Sequence, residues 1–267
     1  MEKLTVLGTG YALATRCYNT CFALQEKEDF LLVDAGGGNG ILRQLEDAGL
    51  SAGHLHHLFI THAHTDHLLG VVWVVRLVAQ SINQGKYDGE LTVWGHDEAL
   101  SILVPLCRAL LPAKLARHLD TRIRFVQVQP GDTLSALGME LSVFDIASTK
   151  AKQYGFCAKL PDGRSLTCLG DERYHPVTEA YVSSCDWLLT EAFCLYDDRE
   201  IFHPYEKHHC TVRDAALMAQ ALGAKRLVLY HTEDKTLATR KARYSAEARA
   251  VYDGEVFVPD DLECIVL

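Results

Sequence analysis

Four side chains able to bind metal, His62, His64, Asp66 and His67, fall within six positions and constrain this chain more than any other feature. They follow an apolar strand-like run at residues 57–60. They precede residues 68–80, whose length and apolarity read as a buried helix. On a turn leaving a strand, the side chains at 62 and 64 can point to one side and converge on one cation. Asp66 and His67, adjacent at the helix start, are then aimed toward a second. Imidazole and carboxylate are ligand types for zinc, and manganese or iron accept them as well. A chance polar turn would bury four polar groups between two apolar segments, which is costly without a compensating partner.

Further candidates stand at the ends of later strand-like runs. Asp171 follows residues 165–169, where its carboxylate can bridge two metals; an ordinary turn aspartate is the alternative. His231 follows the apolar run 226–230 and reads as another ligand in this company.

Around these positions the chain alternates short strands and helices. Strands are expected at residues 3–7, 19–24, 30–33, 91–94, 123–128, 140–146, 155–160 and 187–190. Helices are expected at 40–48, from near Asp97, at 212–222 and close to the C-terminus. Two strand-rich halves, each with its own helices, suggest an α/β chain of two β-sheets packed face to face with helices outside. Residues 1–267 then form one compact domain. Residues 102–111 are unusually apolar and read either as packing or as a lid or homodimer surface.

The net charge is -9, which argues against a long nucleic-acid footprint, since such proteins usually carry a basic face. Nine cysteines without a Cys-x-x-Cys pair read as reduced thiols in a reducing compartment. No signal peptide is evident, and the most apolar run is too short to span a bilayer. A cytoplasmic protein without a membrane partner is expected.

The motif His62-x-His64-x-Asp66-His67, with Asp171 and His231 behind it, resembles the metallo-β-lactamase superfamily. Leu7-Gly8-Thr9-Gly10, Asp34 and His209-Cys210-Thr211 resemble its ribonuclease Z-like branch, which holds small phosphodiesterases as well as a tRNA 3′-processing enzyme. The resemblance covers nearly the whole chain and implies the αββα sandwich. It also implies two divalent metal ions: a first site using His62 and His64, a second using Asp66, His67 and His231, and Asp171 as the bridge.

One ligand of the family pattern is missing. Where another histidine is expected before the Gly155-Phe156 run, this chain has Ala147. Three readings are open: a histidine-to-alanine change that slows the enzyme, a protein with one metal or a weakened first site, or replacement by Ser148, Thr149 or water.

The chemistry implied is hydrolysis by a metal-activated hydroxide, with Asp66 also accepting a hydrogen bond from it. His209 is the candidate proton donor to the leaving oxygen, with Glu191 behind it as the orienting carboxylate. The alternatives are a helix-cap neighbour for His209 and a structural role for Glu191. His54, His56, His57 and His96 lack this context and read as surface or packing residues. The tRNA-processing members hold their substrate with a protruding arm. Residues 155–171 allow only a tight hairpin turning at Pro161-Asp162-Gly163, which favours a small phosphodiester such as a cyclic nucleotide. The alternatives are a lactone or thioester hydrolase of the same superfamily, or an impaired metal-binding sensor.

Overall fold

The computed structural model describes residues 2–267 and divides into two compact units. Unit 1 comprises residues up to 8, residues 18–128 and residues 261–267; unit 2 comprises residues 9–17 and 129–260.

Unit 1 opens with an antiparallel meander of β1 (Glu2–Gly8), β2 (Cys21–Glu26) and β3 (Asp29–Val33). Helix α1 (Gly40–Asp47) then leads to β4 (Leu55–Phe59), and α2 (Thr65–Asn83) to β5 (Leu91–Gly95). Helices α3 (Asp97–Leu110) and α4 (Ala113–Ala116) precede β6 (Ile123–Gln127). From β3 to β6 each strand pairs in parallel with the next. That arrangement needs helical crossovers, and it buries α2 along most of its length, including Val71, Val74, Val75 and Val78.

Unit 2 repeats the plan. Strands β7 (Thr133–Ala136), β8 (Met139–Asp145), β9 (Tyr154–Lys159) and β10 (Ser165–Cys168) pair antiparallel. After the short α5 (Glu179–Val182) the pairing becomes parallel through β11 (Trp187–Glu191). The short α6 (Arg199–Phe202) and α7 (Val212–Leu222) precede β12 (Arg226–Tyr230), and α8 (Leu237–Arg249) precedes β13 (Glu255–Phe257). Finally β14 (Glu263–Val266) pairs with β1, giving unit 1 the strand order β14-β1-β2-β3-β4-β5-β6. Unit 2 runs β13-β12-β11-β10-β9-β8-β7.

Helix α7 spans the residues expected from the sequence because its punctuation is strong. Thr211 and Asp214 form a reciprocal capping box, and Gly223 closes the helix at φ 68°. The short edge strands β7 and β13 were not legible, because three or four residues carry too little alternation. The apolar stretch at 102–111 is buried on one side and exposed on the other. Leu103 and Cys107 are buried, whereas Ile102 and Leu110 are exposed. The β9–β10 connection is the expected tight turn, closed by Gly163 N–H donating to the Leu160 carbonyl at 2.9 Å. Among the described residues no helix is long and apolar enough to cross a membrane. All nine cysteines are free thiols.

Candidate metal centre

Each sheet presents its chemistry just beyond the C-terminal ends of its strands, where backbone groups leave the ladder and side chains are free to converge. Four of these strand ends carry a residue with positive φ. Asp34 follows β3 at 55°, Ala147 follows β8 at 60°, Gly170 follows β10 at 64° and His231 follows β12 at 56°. This conformation is uncommon outside glycine, with Asp, Asn and His the most tolerant of the rest. Such backbone strain gathers at functional sites.

In unit 1 the histidine loop lies between β4 and α2. Asp34 organises it. Its Oδ1 accepts the Thr61 backbone N–H at 2.8 Å, and its Oδ2 accepts the Thr61 hydroxyl at 2.7 Å. The same Oδ2 lies 2.8 Å from His67 Nδ1, which therefore carries the proton and leaves Nε2 as the ligand atom. Thr61 Oγ1, having donated to Asp34, accepts from His62 Nδ1 at 2.9 Å, and this likewise leaves His62 with Nε2. His62 Nε2 and His64 Nδ1 face one another at 2.8 Å. Asp66 Oδ2 approaches His67 Nε2 at 3.3 Å. Asp34, His62, Asp66 and His67 are all buried, and His64 is partly so.

Helix α2 packs against the turn after β3 that carries Asp34. Gly70 donates its N–H to the Gly36 carbonyl at 2.8 Å, and a Cβ on Gly70 would fall 1.8 Å from the Ala35 carbonyl oxygen. Only glycine permits that approach. Burial would lower the His67 pKa, but the carboxylates of Asp66 and Asp34 outweigh it and hold the imidazole well above its ordinary value. Ligand atoms of Asp34, His62 and His67 all lie within 4.8 Å of one another. Imidazole nitrogens turned on each other beside buried carboxylates form a donor set that fits a divalent cation.

In unit 2, Asp171 and His231 come together although they are 60 residues apart, with His231 Nε2 3.5 Å from Asp171 Oδ2. Asp171 also receives the Gln153 side-chain amide and lies 3.4 Å from the Lys150 ammonium, which donates to its backbone carbonyl at 3.0 Å. Glu191, at the end of β11, is fully buried and lies 3.1 Å from His209 Nδ1. Burial raises the Glu191 pKa, against the opposing charges of His209 and Lys150. The His209 ring stacks on Phe193 with centroids 5.0 Å apart and stands 5.1 Å from the His231 ring.

His54, His57 and His96 take the packing and surface roles expected of them. His57 stacks on Trp94, His96 accepts the Ala99 N–H to cap α3, and His54 pairs with Asp29. Several supporting residues were not assigned from sequence. Asp34 was noted as a motif residue, yet its hold on His67 depends on a neighbouring strand. Lys150 and Gln153 carried no signal of their own, and Ser148, which the sequence offered as a replacement ligand, donates its hydroxyl to the buried Glu172 at 2.6 Å. At the missing-ligand position, Ala147 is exposed and donates its N–H to Asp145 Oδ1 at 2.8 Å.

A family described as anti-Pycsar protein Apyc1 matches residues 2–257. The chain belongs to this family. Ribonuclease Z of Haloferax volcanii is 27% identical over 309 aligned positions, covering 97% of this chain and 93% of that protein. Among solved structures, the metallo-β-lactamase fold protein YhfI from Bacillus subtilis superimposes with a TM-score of 0.79 at 19% identity, covering 99% of this chain and 98% of that one. A diphosphatase of the PhnP family gives 0.73 at 15% identity, covering 99% and 96%. This member of the anti-Pycsar Apyc1 family thus has the metallo-β-lactamase α/β fold expected from its sequence. It is ribonuclease Z-like, within a superfamily of metallohydrolases.

Proposed function

We propose that this chain is a metal-dependent phosphodiesterase acting on a small diester such as a cyclic nucleotide. The observation that carries this reading is the histidine loop, where two imidazole nitrogens meet at 2.8 Å while Asp34 fixes the tautomer of His67. The residues that would hold metal are His62, His64, Asp66 and His67 of unit 1 and Asp171 and His231 of unit 2. Zinc suits this set, and manganese or iron are the alternatives. Two bound cations would supply hydroxide near neutral pH and offset the phosphate charge.

The protein's own groups then direct the reaction. Asp66 accepts a hydrogen bond from the attacking water and aims it. His209 donates a proton to the leaving oxygen through Nε2, because Nδ1 is directed toward Glu191. Glu191 holds the ring in that orientation and stabilises its charged form. The Phe193 stack restrains the same ring from its face.

The substrate is small in this reading. The β9–β10 turn offers no arm for a folded RNA, and the net charge is -9. Free thiols fit a reducing compartment such as the cytoplasm. The left-handed backbone at Ala147 supports aligning it with a histidine of the family, since histidine tolerates that conformation better than most residues. The first site is therefore the weaker one.

A panel of bis(4-nitrophenyl) phosphate, cyclic nucleotides, lactones and thioesters, assayed with added zinc or manganese, tests the proposal. Turnover should be confined to the phosphodiesters. Preference for lactones or thioesters would establish the other hydrolase class, and inactivity of both the parent and Ala147→His would leave a metal-binding sensor.

A further inference from the structure

Unit 2 sets a lysine on the carboxylate proposed to bridge two metal ions. The Lys150 ammonium lies 3.4 Å from Asp171 Oδ2 and donates to the Asp171 backbone carbonyl at 3.0 Å, so a single residue grips it at two points. Both side chains are largely buried. The grip is built into the backbone segment rather than left to a swinging side chain. Ser148 donates its hydroxyl to the buried Glu172, the residue after Asp171, at 2.6 Å, and the same oxygen accepts the Lys150 N–H at 3.2 Å. Ser148 and Lys150 thus meet Glu172 and Asp171 in two neighbouring contacts. A buried carboxylate needs a cation or donors close by, and here the chain supplies them itself: Lys150 at Oδ2 and the Gln153 amide at Oδ1.

The same stretch of chain is where a ligand is missing. Ala147, three residues before Lys150, has no side-chain donor atom and turns its N–H to Asp145 Oδ1 at 2.8 Å. The two hydroxyls that follow it are engaged, Ser148 with Glu172 and Thr149 with His208 Nδ1 at 2.7 Å. The segment that lacks an imidazole therefore brings an ammonium to the carboxylate instead. An ammonium and a divalent cation seek the same oxygen lone pairs and repel one another at contact distance, most strongly where water is excluded. Lysine carries its charge on a flexible four-carbon stem, so an arriving ion can displace it.

We infer that Lys150 is a built-in cation that competes with metal for Asp171, so that the chain takes one divalent ion tightly and a second only by displacing the ammonium. The inference rests on the metal-dependent reading of the site, but its test reads ion binding rather than turnover. Zinc is titrated into the full chain after dialysis against a chelator, with affinity followed by calorimetry and the ion count by native mass spectrometry. The parent should bind one zinc ion tightly and a second about ten-fold more weakly or worse. Lys150→Gln should tighten the second ion about ten-fold or more, while Lys150→Arg, which keeps the charge, leaves the gap as it is. Lys150→Met, which keeps an unbranched apolar side chain, is read in the same way, and thermal melting shows which variants are folded. Lys152→Gln removes a neighbouring charge that stands over the Tyr154 ring, 5.4 Å from its centroid, and should titrate like the parent. Two ions of equal affinity in the parent, or none, overturns the inference. So does a second ion that binds Lys150→Gln and Lys150→Met no better than the parent, which is what a lysine serving stability alone gives. Failure of the phosphodiesterase reading would show separately, as absence of bis(4-nitrophenyl) phosphate turnover in a protein whose second ion still responds to Lys150.

Discussion

The two units solve the problem of presenting reactive side chains in opposite ways. Unit 1 concentrates His62, His64, Asp66 and His67 in one loop braced by Asp34, whose own turn meets α2 in the close approach of Gly70 to the Ala35 carbonyl. Unit 2 disperses its candidates over three strand ends, with Asp171 after β10, Glu191 closing β11 and His231 after β12. A loop can be built from local sequence and held by one buried carboxylate. Dispersed residues meet only when a parallel sheet sets its strands in register, so their geometry depends on the whole unit.

The sharpest way to break this comparison is to remove one residue from each set. His62→Ala should abolish turnover by about a thousand-fold or more and lower bound metal, because a site short of an imidazole loses affinity. His209→Ala should cost about a hundred-fold or more in kcat while leaving metal content intact, as expected of a proton donor. Metal analysis by mass spectrometry beside kinetics separates the two. Equal metal loss in both variants would mean that His209 belongs with the ligands.

The bracing of the loop can be tested without touching a ligand. Gly70→Ala places a methyl against the Ala35 carbonyl and should destabilise the protein by about 3 kcal/mol, lowering Tm by several degrees. Gly38→Ala, with open space around the new methyl, should change stability by less than about 1 kcal/mol. Similar melting curves for the two variants would show that the tight approach is not what holds α2 to the turn after β3.

Ala147→His probes the dispersed set. A restored imidazole at the end of β8 should raise metal content and increase phosphodiester turnover about ten-fold or more. No change in either would sink the alignment of Ala147 with a ligand position.

Glu191→Gln gives the smallest effect on stability and the most specific one. Burial raises the Glu191 pKa, so the folded chain keeps this proton at pH values where the unfolded chain has released it. Stability from this group is therefore fully present below the unfolded value of about 4.3 and is lost as pH rises toward the folded value. Glutamine does not titrate, so the variant's Tm should gain on the parent's as pH climbs from about 4. A difference in Tm that does not change with pH would contradict the buried-carboxylate assignment.

What the sequence determined by itself follows the same division. The histidine loop was legible because its four residues are neighbours in the chain and sit between two apolar runs. Helix α7 and strand β12 were legible because capping residues and a continuous apolar run are local signals. The sequence also marked Asp171, Glu191, His209 and His231 and offered Glu191 as the carboxylate orienting His209, but the geometry at which Asp171 meets His231 and Glu191 approaches His209 was not legible in it. Those contacts join residues tens of positions apart and exist only once β10, β11 and β12 are paired. Tertiary structure alone decided the hold of Asp34 on His67 and the placement of Lys150 and Gln153 on Asp171. In each of these the partner is supplied by a different element, and no local pattern records that.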